Sequence, residues 1–217
     1  MPEKIKLTTS DQIEIIGDYY LSEGNKFAIL LHMMPATKES WVEFAPKLVE
    51  KGYTCLAIDE RGHGESTMNG TLDYQNFSEE QQQAKILDVQ ATFEYLKEKG
   101  ATLSETILIG GSIGANLSIQ FLQNNPEIKK AVALSPGLNY RGLQTEPLIQ
   151  TLAPHQKVLL IASDDDTHTS YESVIRLHEL NPAQTTLVKE SGIGHATDML
   201  VNKPELMGAV IDWIEST

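Results

Sequence analysis

The chain has 217 residues, 41% hydrophobic and 22% charged, which suits one compact domain spanning 1–217 and leaves little room for a second. Lys and Arg number 17 against 30 Asp and Glu, and the net charge of −13 repels phosphate backbones and anionic membranes, so neither nucleic acid nor membrane is an expected partner. No apolar run approaches the roughly 18 to 20 residues of a membrane span. The opening "MPEKIKLTTSDQIEI" lacks a signal-peptide core and Cys55 has no partner for a disulfide, so a cytoplasmic monomer or homodimer is expected.

"KIKLT" and "QIEIIGDYYL" alternate apolar and polar residues around the turn "TSD", the pattern of a β-hairpin with one solvated face. The pattern then changes. "FAILLH", "YTCLAID", "TILIGG", "AVALS", "KVLLIAS" and "TTLVKE" are short continuous apolar runs, as in strands buried on both faces of a parallel sheet. Helical patterns lie between them: "ESWVEFAPKLVEKG", "AKILDVQATFEYLKEKG", "ANLSIQFLQNN" and "SYESVIRLHEL". The last segment stacks Leu206, Val210, Trp213 and Met207, Ile211, Ile214 on one broad apolar face, the spacing of a core-packing helix. With no repeat and no Pro/Gly-rich linker, the alternation predicts an α/β fold, a mostly parallel sheet of about eight strands with a leading antiparallel hairpin and helices on both faces.

Gly110, Gly111, Ser112, Ile113 and Gly114 spell G-x-S-x-G between an apolar run and a helical pattern. In a nucleophile elbow the serine sits on a strained strand-to-helix turn, and small neighbours let the backbones approach. A phosphate-binding turn fits less well, because G-x-G-x-x-G would need glycine where Ser112 stands and no Gly-Lys-Ser/Thr follows. A serine hydroxyl needs a base, itself oriented by a carboxylate, on loops after later strands. His195 in "SGIGHATDML" is the only histidine after the final predicted strand. The acid lies in "DDD": Asp166 reaches furthest into its loop and is chosen, with Asp164 second and Asp165 the third candidate. A metal at this cluster lacks clearly spaced partner ligands, and none is expected. His168 could serve as base by proximity, but it shares the acid's loop and is expected to begin a helix.

"LLHMMPATKESWVEFAPKLVEKGYTCLAIDERGHGES" resembles the stretch of the α/β-hydrolase family from oxyanion loop to Asp-x-Arg-Gly-His-Gly-x-Ser turn, and the resemblance covers nearly the whole chain. It is closest to lidless, dienelactone-hydrolase-like members and small esterases. It implies Ser112 as nucleophile, Asp166 as acid and His195 as base, with an oxyanion hole from the backbone N–H groups of Ile113 and Met34. Two departures stand out: the family's usual His-Gly is His32-Met33 here, and dienelactone hydrolases carry cysteine at the elbow. Asp59, Arg61, Gly62, His63 and Gly64 match the family's turn-stabilising motif, His32 reads as a loop brace, and Cys55 as a small buried hydrophobe.

The expected activity is cleavage of small ester or thioester substrates through an acyl-enzyme, with no cofactor. The alternatives are a non-catalytic ligand-binding protein on the same fold and a cofactor-free perhydrolase. Met33, Tyr140 and Leu143 are candidates for lining an acyl pocket. The stretch 136–156 holds one short helix, "EPLIQTL", so no cap domain is expected and short acyl groups should be preferred.

Overall fold

The computed structural model describes residues 1–216. Ten strands are formed: β1 (Glu3–Thr8), β2 (Glu14–Tyr20), β3 (Lys26–Leu31), β4 (Tyr53–Ile58), β5 (Thr106–Gly111), β6 (Lys130–Leu134), β7 (Asn139–Tyr140), β8 (Leu143–Gln144), β9 (Lys157–Ser163) and β10 (Thr185–Glu190). Eight of them make one sheet in the order β1-β2-β4-β3-β5-β6-β9-β10, and β7 and β8 form a separate small hairpin. β1 pairs antiparallel with β2 and β2 with β4; every other pairing in the large sheet is parallel. The predicted mixed sheet with a leading hairpin is therefore present.

The helices are α1 (Ala45–Glu50), α2 (Glu79–Gln83), α3 (Ile86–Glu98), α4 (Ile113–Asn124), α5 (Glu146–Gln150), α6 (Ser170–Leu180), α7 (Asp198–Asn202) and α8 (Glu205–Glu215). Alternate residues of the central strands feed two cores. Phe27, Ile29 and Leu31 of β3 pack on one face with Val89, Phe93 and Leu96 of α3 and with Leu117 of α4. Ala28 and Leu30 pack on the other with Leu48 of α1 and Leu206, Val210 and Ile214 of α8. Each such fully buried Leu or Ile contributes about 1.5–3 kcal/mol. Among the described residues no helix is long and apolar enough to cross a membrane.

The predicted helix "ESWVEFAPKLVEKG" is in fact two pieces, a 3-10 turn at Lys38–Trp41 and then α1. Pro46 lies in the first turn of α1; lacking an N–H and fixed in φ, it starts a helix but cannot sit within one. His168 does not begin a helix either: α6 starts two residues later. Between β6 and β9 the chain builds only the β7–β8 hairpin and α5, so no cap covers the carboxyl ends of the strands.

Candidate active site

The carboxyl end of β5 runs directly into α4, and Ser112 is the residue between them, with φ 54° and ψ −117°. Such a backbone costs a non-glycine residue on the order of 1–3 kcal/mol and persists only where its surroundings enforce it. They do. A Cβ at Gly110 would fall 2.1 Å from the Gly114 carbonyl oxygen, and one at Gly114 would fall 2.6 Å from the carbonyl oxygens of Leu31 and His32. The glycines thus let strand, helix and the loop after β3 close around the serine. Ser112 N–H donates to Leu134 O at 2.8 Å, and the N–H groups of Ala115 and Asn116 return to Ser112 O. The Ile113 and Gly114 N–H groups, in the first turn of α4, have no carbonyl one turn back and sit at the positive end of the helix.

The loop after β3 is set by His32, which is fully buried. The Glu60 N–H donates to its Nε2 at 3.0 Å, so the proton is assigned to Nδ1, which donates to Met33 O at 2.9 Å. Burial pushes its pKa down to about 4, so the ring is neutral at ordinary pH. Met33 O belongs to the same peptide unit as the Met34 N–H, and the two point in opposite directions across a trans peptide plane. Holding the carbonyl therefore aims the Met34 N–H away from His32. The loop continues through a cis Met34–Pro35 bond. Beneath it, the Asp59-x-Arg61-Gly62-His63-Gly64 turn is braced: Asp59 accepts from Lys38 N and Nζ and from Glu65 N, while Arg61 donates to Asp88 and Asp11. Glu60 and Lys85 form a fully buried ion pair at 3.0 Å. Cys55 is buried and its thiol pushed up by burial, an inert packing residue.

Asp166, on the loop after β9, meets His195, on the loop after β10: His195 Nδ1 donates to Asp166 Oδ2 at 2.5 Å. The Asp166 carboxylate is fully buried and also accepts from the Ser170 hydroxyl and, at 2.9 Å, from the His168 N–H. Burial draws its carboxyl upward, yet the hydrogen bonds from Ser170, His195 and His168 outweigh it and hold the group below the usual Asp value. The two neighbouring aspartates hold the loop that carries His195 instead. Asp164 accepts from the Gly192 N–H at 3.3 Å, and Asp165 from the Gly194 N–H at 3.1 Å and the Ser163 hydroxyl at 2.5 Å. A Cβ at Gly111 would fall 3.1 Å from the Ala196 Cβ, so the end of β5 and the loop after β10 abut next to Ser112 and His195. The Asp166–His195 bond is made, and a direct Ser112–His195 hydrogen bond is not.

The pocket candidates separate. Tyr140 stands at the site, its hydroxyl donating to His168 O at 3.4 Å. Met33 is half-buried beside the oxyanion loop. Leu143 is buried in the core, where an apolar side chain on the inner face of the hairpin packs against α4, and its carbonyl accepts from Asn116 Nδ2 at 2.8 Å. Sequence reasoning missed Ser170 and the loop-bracing parts of Asp164 and Asp165. Ser170 carried a faint signal, a small hydroxyl residue at a helix start. Among the described residues, Asp166, His168 and His195 are the one set whose donor atoms, within 4.8 Å of one another, could hold a metal, and its carboxylate is already saturated with hydrogen bonds.

A family model, Hydrolase_4, described as serine aminopeptidase, S33, matches residues 25–195. Among solved structures, the chain is similar to the esterase Pf2001 of Pyrococcus furiosus at 21% identity, covering 99% of this chain and 92% of that one with a TM-score of 0.81. It is similar to the esterase EaEST of Exiguobacterium antarcticum at 14% identity, covering 99% and 100% with a TM-score of 0.78. A structure of DcsB in complex with a substrate analogue aligns at 16% identity over 99% of each chain, with a TM-score of 0.82. At these identities the likeness is one of fold. An uncharacterized protein of Rickettsia prowazekii, RP471, is 30% identical over 92 residues, which span 42% of this chain and 35% of that protein.

Proposed function

Because the chain belongs to the Hydrolase_4 (serine aminopeptidase) family of α/β-hydrolases, we propose that it is a serine hydrolase cleaving small carboxylic esters or thioesters through an acyl-enzyme, the whole chain acting as one catalytic domain. The observation that carries this reading is the strained Ser112 at the β5–α4 turn, at the same end of the sheet as an Asp166–His195 pair. A turn that served packing alone would relax with glycine at that position. Ser112 Oγ attacks the carbonyl carbon and its proton passes to His195 Nε2, while Asp166 keeps the other imidazole proton on Nδ1. The N–H groups of Ile113 and Met34 receive the developing oxyanion. The leaving alcohol or thiol departs with the proton from Nε2, and water, deprotonated by His195, releases the acid.

A fluorophosphonate probe tests the reading directly. It should label the protein once, at Ser112 by peptide mass spectrometry, and Ser112→Ala should lose both the label and at least about a thousandfold of kcat. An alanine variant retaining more than a tenth of the esterase rate defeats the assignment. The open strand ends support a preference for short acyl groups, since little apolar surface is available to bury each further methylene.

A further inference from the structure

Tyr140 is more tightly placed than a pocket wall requires. Its hairpin turns through Arg141 (φ 53°) and Gly142 (φ 86°), two consecutive left-handed residues of the kind a tight two-residue hairpin demands. The Gly142 N–H donates to the Asn139 side chain at 2.8 Å. At the hairpin's foot, Asn116 of α4 donates to Gly137 O at 3.0 Å and Leu143 O at 2.8 Å and accepts from the Gly137 N–H at 3.0 Å. The Tyr140 ring lies over Gly137, where a Cβ would meet ring carbons at 2.6 Å. This buried amide ties the ring to the same helix that carries Ser112 at its start.

The sheet order decides which part of a substrate the hydroxyl meets. β5, which delivers Ser112, lies between β3 and β6, with β9 and β10 beyond β6. The Met34 N–H therefore reaches the nucleophile from the β3 flank. Tyr140, Asp166 and His195, which follow β6, β9 and β10, reach it from the other. The oxyanion and the leaving group of a tetrahedral intermediate lie on different sides of the reacting carbon, and the leaving group must face His195 to receive its proton. Tyr140 Oη stands on that side, 3.4 Å from the carbonyl oxygen of His168, whose ring packs 4.5 Å from that of His195.

We infer that Tyr140 is a further catalytic residue, its hydroxyl turning from the long 3.4 Å contact with the His168 carbonyl to donate a hydrogen bond to the leaving-group oxygen as the intermediate collapses, an assignment that rests on the acyl-enzyme chemistry proposed for Ser112. In that step the bond from the reacting carbon to the leaving oxygen breaks, its electron pair goes to that oxygen, and the proton comes from His195 Nε2. Tyr140 keeps its own proton. Burial, reinforced by the Asp166 charge, pushes its phenol up to about 12, so it remains a donor across the working range. The help matters in proportion to the charge on the departing oxygen. A p-nitrophenolate leaves with its charge delocalised and needs little; an alkoxide needs much.

The test is Tyr140→Phe, which keeps the ring over Gly137, assayed by kcat/KM on the p-nitrophenyl and ethyl esters of the same short acid. The ethyl ester should lose about tenfold to a hundredfold, the scale of a hydrogen bond to a charged group, and the p-nitrophenyl ester less than about threefold. Fluorophosphonate labelling of Ser112 is run on both proteins. Equal losses on the two esters with labelling intact, or no loss on the ethyl ester, overturn the role of Tyr140 alone. Failure of the wild-type protein to label overturns the acyl-enzyme chemistry and this role with it.

Discussion

His32 touches no reacting atom in the proposed chemistry, yet its removal should be felt twice. Its imidazole partners two backbone groups, Met33 O and the Glu60 N–H, and His32 and Glu60 are both fully buried. In His32→Ala both are stranded, at about 1–3 kcal/mol each, or about 2–6 kcal/mol together. At roughly 2–4 °C per kcal/mol for a chain of this size, the melting temperature should fall by roughly 5–20 °C. The second effect is on rate: with its carbonyl released, the Met33–Met34 peptide no longer aims its N–H, and loss of one oxyanion donor costs about 10²–10³ in kcat. His32→Asn separates the two effects, because the asparagine amide nitrogen takes nearly the place of Nδ1 and still reaches Met33 O, whereas nothing reaches the Glu60 N–H. The asparagine variant should be destabilised by about half as much as alanine and keep most of kcat. Thermal unfolding and steady-state hydrolysis of a short p-nitrophenyl ester read out the two. If the alanine variant turns over at the wild-type rate, or the asparagine variant is as slow as alanine, His32 does not orient the Met34 donor.

The three aspartates should part company on mutation: Asp166→Asn is expected to drop kcat by about 10⁴, the scale of a lost tautomer-setting carboxylate, while Asp164→Asn and Asp165→Asn cost stability first. Equal small losses in all three would put the acid elsewhere. Acid should destabilise the fold well above the carboxylate range. Burial holds the folded-state values of His32 and His63 at about 4 and about 3 against 6.5, so between those limits the unfolded chain binds more protons. Stability is complete above pH 6.5 and falls with pH, by on the order of 3 kcal/mol for His32 alone at ~1.4 kcal/mol per pH unit, partly offset by Asp88, which burial holds up at about 6. Urea titrations from pH 7 to 4.5 should show this slope, and His32→Asn should flatten it; an unchanged slope removes His32 from the account. The specificity constant should peak at short acyl esters, and a steady rise through twelve or more carbons, at roughly fourfold per methylene, would require an enclosed tunnel.

The large sheet was readable because strands buried on both faces are written as unbroken apolar runs, and "FAILLH", "YTCLAID" and "KVLLIAS" match β3, β4 and β9 to within one residue at each end. The elbow was readable for a different reason: its glycines are demanded by contacts below 3 Å, so the composition itself is constrained. Short elements escaped. α2 has a full capping box, Ser78 with Gln81, that could have announced it, but the β7–β8 hairpin turns through Arg141, a residue that does not advertise a left-handed conformation. The burial of Leu143 was not legible, because a leucine near a site looks the same in sequence whether it faces substrate or core. Nothing local marks Tyr140, whose position depends on Asn116, more than twenty residues away.

Adjacent aspartates at the end of β9 work like the teeth of a comb. Each engages a different point on the loop that follows β10: Asp164 the backbone at Gly192, Asp165 the backbone at Gly194, Asp166 the imidazole of His195. The two loops are thereby indexed to each other in steps. A single residue inserted between Ser163 and Asp164 would slide every tooth by one and leave the imidazole facing a group meant for backbone. The place of Asp166 opposite the imidazole therefore cannot pass to a neighbouring position by small changes, even though identical side chains stand beside it. Three equal residues in a row here specify alignment, and the repetition that looks redundant in the sequence leaves the loop no spare.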